Sequence, residues 1–323
     1  MVGVGAFGRN HARIYHQLAQ QGEAVRLVGV VDPDVARADA VAAEFGCRGF
    51  GSVEQLVTTH SEVQAASVAV PTVLHLETAR GLMEAGVDVL VEKPLAPSLA
   101  EADELVGLAQ SLNRIGQVGH LERFNPAVRA TAPLITQPMF FEVHRLSVFT
   151  PRSLDVDVIL DLMIHDLDVV LWLVKSPVKE IRAVGLPILS GKADIANVRL
   201  EFESGCVANF TASRVSTERV RKLRFFQPRQ YVSLDYSRQE VLVFSVGDSE
   251  GTPSVNPQIK VAKPAIVSEE PLLAELRSFL EAVRTRSKPL VSFEDGRRAL
   301  AVALDIVAAI RQHGQKARLE QLR

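Results

Sequence analysis

Met1-Val2-Gly3-Val4-Gly5-Ala6-Phe7-Gly8 opens the chain and decides how its first half folds. The stretch fits the pattern G-x-G-x-x-G and runs into a helical pattern from about Arg9 to Gln20. Glycines between a strand and a helix let the backbone approach a pyrophosphate at the helix N-terminus, although they can also serve packing alone. The first strand has almost no residues before Gly3. It is therefore expected either to be frayed or to continue in a natural chain that starts upstream.

The second strand supplies the context that the glycines need. Val25–Asp32 is an apolar run that ends in an acid at about the expected distance after them. Asp32 is expected to accept hydrogen bonds from the adenosine ribose hydroxyls, and its charge would repel the extra phosphate of NADP. We therefore predict NAD rather than NADP, with Arg37 near enough in sequence to weaken that preference. The cofactor-binding residues predicted here are Gly3, Gly5, Ala6, Phe7, Gly8 and Asp32.

Strand and helix patterns alternate through the rest of the first 120 residues, which predicts a doubly wound parallel sheet. Within it, residues 87–94 form a buried strand that ends at a proline, with Glu92 and Lys93 at its carboxyl end. Ligands bind at that end of parallel strands, so both residues are predicted at the cofactor, the alternative being a surface salt bridge. Thr72 and His75 follow the preceding strand. They are predicted to touch the cofactor too, or else to be a helix N-cap and a surface histidine.

The alternation of strand and helix patterns ends after Gly119. Longer strands predict a mostly antiparallel sheet, and two amphipathic helices close the chain, at Pro271–Thr285 and Glu294–His313. The predicted fold class is α/β: an N-terminal Rossmann domain (a doubly wound parallel sheet) and a C-terminal α+β domain with a large, mostly antiparallel open sheet. The predicted domains are residues 1–120, which bind NAD, and residues 121–323, which bind substrate and make oligomer contacts. The predicted strand regions of the second domain are 140–148, 180–187, 196–213 and 223–244.

A predicted helix from Asp155 to Val174 is apolar nearly all round, as a buried helix is. Yet it carries four ionisable residues at i, i+4, i+8 and i+11, in one narrow stripe: Asp157, Asp161, His165 and Asp168. Unpaired buried charge is costly, so the stripe is either a structural network, with Asp157 merely a cap, or a site. Zinc or iron is a further alternative. No second histidine stands at ligand spacing, however, so no metal is predicted.

Bulk composition narrows the possible partners. The 323 residues suggest two domains, and 47% hydrophobic with 23% charged residues is ordinary for a globular protein. A net charge of −2 shows no excess of positive charge of the kind that binds nucleic acid or an anionic membrane. Without a signal peptide or an apolar run of membrane-spanning length, the cytoplasm is the expected compartment, and Cys47 and Cys206 are expected to be reduced.

Taken together, these residues resemble the glucose–fructose oxidoreductase, inositol dehydrogenase and MocA family over essentially the whole chain. The motifs that carry the resemblance are Gly3–Gly8 followed by His11-Ala12, then Asp32, Glu92-Lys93-Pro94 and Asp161-x-x-x-His165. The resemblance implies that Lys93, Asp161 and His165 are the catalytic group and that the glycine loop and Asp32 hold the nicotinamide cofactor. It also implies contacts through the open sheet in a homodimer or homotetramer.

Within that family, Gly119–Pro126 and Leu160–Asp168 most resemble the nucleotide-sugar 3-dehydrogenases. The most similar of these oxidise UDP-N-acetylglucosamine ahead of a transaminase in lipid A synthesis. The expected reaction is NAD-dependent oxidation of a secondary sugar hydroxyl, with His165 as general base, Asp161 orienting it and Lys93 donating to the developing alkoxide.

Arginine suits phosphate because its planar fork donates two hydrogen bonds at once. Arg123 and Asn125 are therefore predicted at the substrate, together with Asp157 and Asp168, and Arg229 is a more distant candidate. Surface ion pairing is the alternative for both arginines. Three other functions stay open: a dehydrogenase of a free sugar or polyol, a non-catalytic NAD-binding sensor, and an NAD-dependent glycosidase.

Overall fold

The computed structural model describes residues 1–150, 156–247 and 258–317. Over these residues the chain forms two compact units. The first contains Met1–Leu121 and Glu270–Leu300, and the second contains Glu122–Glu269 and Ala301–Arg323.

Strands and helices alternate in the first 120 residues, as the sequence predicts. The strands are β1 (Gly29–Val31), β2 (Arg48–Phe50), β3 (Ala65–Val68), β4 (Asp88–Glu92) and β5 (Gly116–Gly119). The helices are α1 (Ala6–Gln20), α2 (Val35–Phe45), α3 (Val53–Thr59), α4 (His75–Glu84) and α5 (Leu99–Ser111). Side chains cap three of the helix N-termini, those of Asp34, Ser52 and Ser98, and so fix where α2, α3 and α5 begin.

Val2 joins these strands into one parallel sheet. It bridges Val31 at the end of β1 and Val68 at the end of β3, which gives the order β2-β1-Val2-β3-β4-β5. Backbone hydrogen bonds hold it on both sides: Val2 N–H donates to Ser67 O, and Gly3 N–H donates to Val31 O, each at 2.8 Å. Because the strand order reverses at Val2, the crevice beyond its carboxyl end is the expected ligand site of such a sheet.

The second half of the chain builds an eight-stranded sheet. Its strands are β6 (Phe140–Leu146), β7 (Val178–Leu186), β8 (Ile195–Phe202), β9 (Val207–Ser213), β10 (Val220–Gln227), β11 (Gln230–Asp235), β12 (Glu240–Gly247) and β13 (Gln258–Ala262). Their order is β13-β12-β11-β10-β6-β9-β8-β7, and every pair is antiparallel except β6 with β9. The predicted fold class is confirmed.

Four α-helices of the second half are α6 (Pro126–Thr131), α7 (Ile164–Val174), α8 (Pro271–Thr285) and α9 (Phe293–Lys316). The predicted second domain, residues 121–323, includes α8, but the structure packs Glu270–Leu300 with the first unit. Leu276 and Phe279 of α8 share an apolar cluster with Ile14 and Leu18 of α1. Periodicity shows that such a helix has an apolar face, but it does not reveal which neighbour covers that face. The functional domain limits, 1–120 and 121–323, stay a prediction.

The predicted continuous helix Asp155–Val174 is corrected in its first part, and Asp155 itself lies outside the described residues. A π-helix spans Ile159–Met163, where the Ile164 N–H donates to Ile159 O, and α7 comes directly after it. A π turn holds more residues than an α turn, so it rotates the residues after the turn relative to those before it. The stripe expected of a regular helix is therefore broken between Asp157 and His165.

Among the residues that the structure describes, no helix is both long enough and apolar enough to cross a bilayer.

Candidate active site

The three glycines of the first loop differ in whether the structure leaves room for a side chain. Gly3 has φ +80°, and a Cβ there would lie 2.8 Å from the backbone of Ala69. A Cβ on Gly8 would lie 1.8 Å from Gly3 O, so that position is closed by packing of the helix on the loop. Gly5 has no atom within 4 Å of a Cβ position, which leaves open space beside the loop.

This open space lies at the N-terminus of α1. Gly5 is the N-cap, no side chain caps the helix, and Gly5, Ala6 and Phe7 are exposed. The first backbone N–H groups of a helix have no partner within it and favour an anion. The loop therefore fits the pyrophosphate of a dinucleotide, as the sequence predicts.

Asp32 lies at the end of β1 and is nearly buried. Its Oδ2 accepts from Val4 N–H at 3.0 Å and its Oδ1 accepts from Asp34 N–H at 3.0 Å. The half-exposed Arg37 places Nη1 3.3 and 3.4 Å from the two carboxylate oxygens. An ionised carboxylate has about four acceptor sites, and these contacts use them, so a ribose hydroxyl would have to replace the long contacts of the half-exposed Arg37. Arg37 is the partner of Asp32 in an ion pair at 3.3 Å.

Glu92 and Lys93 end β4 and have different surroundings. The Glu92 carboxylate is nearly buried, 3.1 Å from His11 Nε2, and accepts the Lys93 backbone N–H at 3.3 Å. His11 is fully buried, and its Nδ1 has no hydrogen-bond partner among the described residues. That favours the tautomer with the proton on Nε2, which donates to Glu92. Glu92 thus links α1, behind the glycine loop, to the backbone of Lys93, whose side chain is partly buried.

A glycine makes room for this carboxylate. A Cβ at Gly119, the last residue of β5, would meet Glu92 Oε1 at 2.5 Å. Glu92 is therefore held by α1 and by the backbone at the end of its own strand, in space that Gly119 leaves free, which explains its fixed position better than a surface salt bridge does.

The structure places Thr72 and His75 beyond β3 but gives them different surroundings. Thr72 starts a short 3₁₀ turn, Thr72–Leu74, and is partly exposed. His75 is buried, with Nε2 3.0 Å from Val70 O and Nδ1 3.1 Å from Pro94 O. Burial lowers its pKa, although the neighbouring carbonyls work in the opposite direction. His75 joins the two loops that follow β3 and β4, so contact with the cofactor through its ring nitrogens is disfavoured.

In the second unit, Asp161 lies within the π-helix and His165 in the first turn of α7. Both side chains are partly buried. Asp157, predicted in the same stripe, accepts the Ala193 N–H at 3.0 Å instead and holds the loop before β8. π-helical turns occur mostly as single turns and often at functional sites, which draws attention to the Asp161–His165 segment.

Arg123 and Asp168 form a buried ion pair. Nε and Nη2 of Arg123 donate to the two Asp168 oxygens at 2.7 and 2.9 Å, and both side chains are 1% exposed. The Arg123 guanidinium also lies over the Trp172 ring at 4.9 Å. Their predicted contact with substrate is therefore opposed by the geometry, because the pair faces the protein interior.

Asn125 is likewise used within the fold. Its Oδ1 accepts the Ala127 N–H at the start of α6, and its amide donates to Glu122 Oε2 and to Tyr236 O. This cap and these two bonds engage both ends of a buried side chain. Arg229 is exposed in the turn between β10 and β11 at φ +62°, and it donates to Val246 O.

Sequence reasoning missed a buried charged cluster of the second unit, centred on Arg145. Arg145 donates to both oxygens of Asp166 at 2.6 and 2.9 Å and to Glu122 Oε1 at 3.0 Å, and it lies over the Tyr236 ring at 5.1 Å. Burial opposes its charge, but Asp166 and Glu122 raise its pKa above the ordinary value. Burial likewise raises the pKa of Tyr236 far above its usual range. The missed signal is the alternation of β6, which puts Arg145 on the buried face after Phe141 and Val143.

Two family models match the chain. Residues 1–120 match the one described as an oxidoreductase family with an NAD-binding Rossmann fold, and residues 116–229 match a GFO/IDH/MocA C-terminal domain. UDP-N-acetylglucosamine 3-dehydrogenase of Acidithiobacillus ferrooxidans is 38% identical over 96% of both chains.

The chain belongs to the Gfo/Idh/MocA family.

The family resemblance inferred from the motifs is thereby confirmed, as is the prediction of an NAD-dependent oxidoreductase. A solved structure of the Acidithiobacillus ferrooxidans enzyme matches with a TM-score of 0.87 at 36% identity, over 96% of each chain. Inositol 2-dehydrogenase of Leifsonia xyli is 32% identical, over 56% of this chain and 55% of its own length. The roles of individual site residues stay predictions.

Proposed function

We propose that this member of the Gfo/Idh/MocA family oxidises the 3-hydroxyl of a UDP-N-acetylhexosamine, UDP-N-acetylglucosamine above all, to a ketone. The observation that carries the proposal is the 38% identity to a UDP-N-acetylglucosamine 3-dehydrogenase over 96% of both chains. The relatives named as inositol dehydrogenases match only about half of the chain or are less identical.

Lys93, Asp161 and His165 are the proposed catalytic residues. NAD, when bound, supplies the acceptor for the hydride that leaves the sugar carbon. His165 takes the hydroxyl proton as general base, because its reference pKa lies near working pH. Asp161, one turn earlier, orients His165 and stabilises its charged form. Lys93 donates a hydrogen bond to the developing alkoxide, where electrostatic stabilisation contributes most.

The cofactor is proposed to bind at the glycine loop and Asp32. The open space beside Gly5 and the uncapped N-terminus of α1 support a pyrophosphate there. Glu92 acts indirectly in this proposal, by fixing the backbone of Lys93 through its bonds to that backbone and to His11.

Absorbance of NADH at saturating NAD tests the proposed substrate. UDP-N-acetylglucosamine should give NADH, while free N-acetylglucosamine and myo-inositol should give little. The ketone is disfavoured at equilibrium, so a parallel reaction should contain an aminotransferase that consumes a 3-keto nucleotide sugar, the class of enzyme expected to act next. Robust reduction of NAD by a free polyol, with no response to UDP-sugars in the coupled reaction, would overturn the substrate.

The polyol alternative is favoured only by the inositol dehydrogenase relatives, and the same assay decides it. A glycosidase would instead cleave a glycosidic bond without net formation of NADH. A sensor would bind NAD and turn over nothing.

The predicted homodimer or homotetramer is part of the proposal. It is supported by a row of side chains on the face of the large sheet opposite Arg145. Phe140, Phe226, Tyr231 and Phe244 follow one another with ring centroids 4.8 to 5.6 Å apart, and Val261 extends the row at 60% exposed. A partly exposed apolar row of this kind is typical of an interface. Sedimentation of the full chain tests it. The cytoplasm stays the predicted compartment.

A further inference from the structure

A nucleotide-sugar substrate brings a diphosphate, and the arginine that the sequence assigns to it is not available. Arg123 is bound to the buried Asp168, and Arg229 lies in an exposed turn. With Arg123 held in that buried pair, another positive group of the second unit is the better candidate to meet the phosphates. Arg221, on β10, is the side chain to which the geometry leads.

Arg221 lies directly opposite Arg145, on the neighbouring strand β6. Side chains directly opposite share one face of a sheet, and like charges in that arrangement are destabilising. Leu223 and Phe225 continue the same face of β10 and are fully buried. Arg221 is therefore on the inner face of the sheet, beside a second guanidinium, rather than on the outer aromatic face.

The two arginines differ in their partners. Arg145 is satisfied by Asp166 and Glu122. The Arg221 guanidinium makes no hydrogen bond or ion pair with the residues that the structure describes, although it is partly buried. Burial lowers its pKa, and so do the charges of Arg145 and Arg219, while Glu122 and Asp166 raise it. A partly desolvated guanidinium beside two other cations is a place where an anion is stabilised.

Arg221 is also close to the proposed catalytic helix. Asp166, which takes Arg145 in a bidentate pair, is the residue after His165 on α7. The Tyr236 N–H, on the other side, donates to Arg221 O at 3.0 Å. The Arg145–Asp166 ion pair thus connects the inner face of the sheet, which contains Arg221, to the helix that contains the proposed general base.

We propose that Arg221 determines specificity by binding a phosphate oxygen of the substrate's diphosphate. This rests on the proposed function and deepens it. The guanidinium fork can donate two hydrogen bonds to one phosphate, as an ammonium cannot. The competing explanation is that Arg221 is only a solvated counter-charge to Glu122 and Asp166.

Steady-state kinetics of three variants tests the proposal. Arg221→Gln should raise the KM for UDP-N-acetylglucosamine about 10- to 100-fold, the value of a lost charged hydrogen bond. Its kcat should change by only a few-fold, and its KM for NAD should not change. The KM of Arg221→Lys for UDP-N-acetylglucosamine should lie between those of the unmodified protein and Arg221→Gln, because lysine keeps the charge and loses the planar fork. Lys222→Gln is the matched control: it removes a positive charge from the next residue, which faces the other side of the sheet.

Calorimetric titration with UDP separates this proposal from the proposed function, because it needs no turnover. UDP should bind the unmodified protein and bind Arg221→Gln at least ten-fold more weakly, about the value of one charged hydrogen bond. If UDP-N-acetylglucosamine is turned over and Arg221→Gln keeps its KM and its UDP affinity, Arg221 has no such role and the function stands. If nothing is turned over but Arg221→Gln alone loses UDP, the anion site stands and the function falls.

Two further measurements keep the test decisive. If Arg221→Gln has a lower Tm, the KM and the UDP affinity of Arg221→Lys are compared with those of the unmodified protein instead, because lysine retains the charge beside Glu122 and Asp166. Glucuronate is the probe for the other anionic group that a sugar can carry. If Arg221→Gln weakens inhibition by glucuronate but leaves UDP affinity intact, the residue recognises a carboxylate and the phosphate assignment is overturned.

Discussion

The glycine loop of the first unit and the arginine–aspartate pairs of the second both carry predicted site residues, but they are built in opposite ways. Gly5–Phe7 is exposed and leaves open space at a helix N-terminus. Arg123 and Arg145 are buried and bound by carboxylates of the protein itself. The same residue types that suggest a ligand in a sequence can therefore serve the fold alone. Contact, rather than type, decides between a binding residue and a structural one.

The largest expected effect tests two residues that lie between these extremes. Lys93 and His165 are both partly buried. Lys93→Met and His165→Asn should each lower turnover about 100- to 10,000-fold, the value of a positioned acid–base group. NAD binding, followed by fluorescence, should survive His165→Asn, because the glycine loop belongs to the other unit. Lys175→Met, which removes an exposed charge after α7, is the control. Near-normal turnover of either variant would mean that the residue is structural, like Arg123 and Arg145, and not catalytic.

The buried pairs should show their effect in stability instead. Arg145→Met leaves Asp166 and Glu122 buried without their cation, which should lower the free energy of unfolding by about 3–5 kcal/mol. Arg199→Met, on the exposed side of β8, should change it by less than about 0.5 kcal/mol. Chemical denaturation measures both variants. Equal stability of the two would mean that the Arg145 cluster is solvated, and the contrast with the glycine loop would be lost.

How far the sequence could predict these features depends on what each one requires. The glycine loop was predictable because Gly3 and Gly8 are constrained by their own backbone neighbours, and so the constraint is written locally. The parallel sheet was predictable for the same reason, from alternating strands and helices. The short β2, Arg48–Phe50, was missed because three residues carry no periodic signal.

In the second unit, the partners of charged residues could not be predicted where they come from distant parts of the chain. Arg123 pairs with Asp168 across 45 positions, and Arg145 pairs with Asp166 across 21. Neither pairing has a local pattern. The π-helix before α7 also shifts the helical phase between Asp157 and His165, so their spacing no longer predicts one shared face.

Cofactor selectivity sharpens the comparison within the first unit, because the Asp32 carboxylate has a cation, Arg37, at 3.3 Å. Arg37→Ala should raise the preference for NAD over NADP by about ten-fold, since it removes the nearest charge for a 2′-phosphate. Asp32→Ser should narrow the preference, because it removes the repelling carboxylate and leaves Arg37 in place. The ratios of kcat/KM for the two cofactors measure this. Equal use of NAD and NADP by the unmodified protein would contradict the role of Asp32.

The smallest expected effect concerns His75, the one predicted cofactor residue of the first unit that is buried against backbone carbonyls of three residues. Burial lowers its pKa below the ordinary value near 6.5, so the unfolded chain takes up a proton at a pH where the folded chain does not. His75 therefore contributes its full stability above about pH 6.5, and this contribution declines as the pH falls from there towards the lowered pKa. Urea unfolding between pH 7.5 and 5.5 should show this decline, at most about 1.4 kcal/mol for each ten-fold loss of proton affinity on folding. His75→Gln should flatten that part of the profile even if it lowers stability overall, while NAD affinity changes little. A flat profile in the unmodified protein, or a large loss of NAD affinity in His75→Gln with an unchanged slope, would return His75 to the binding residues.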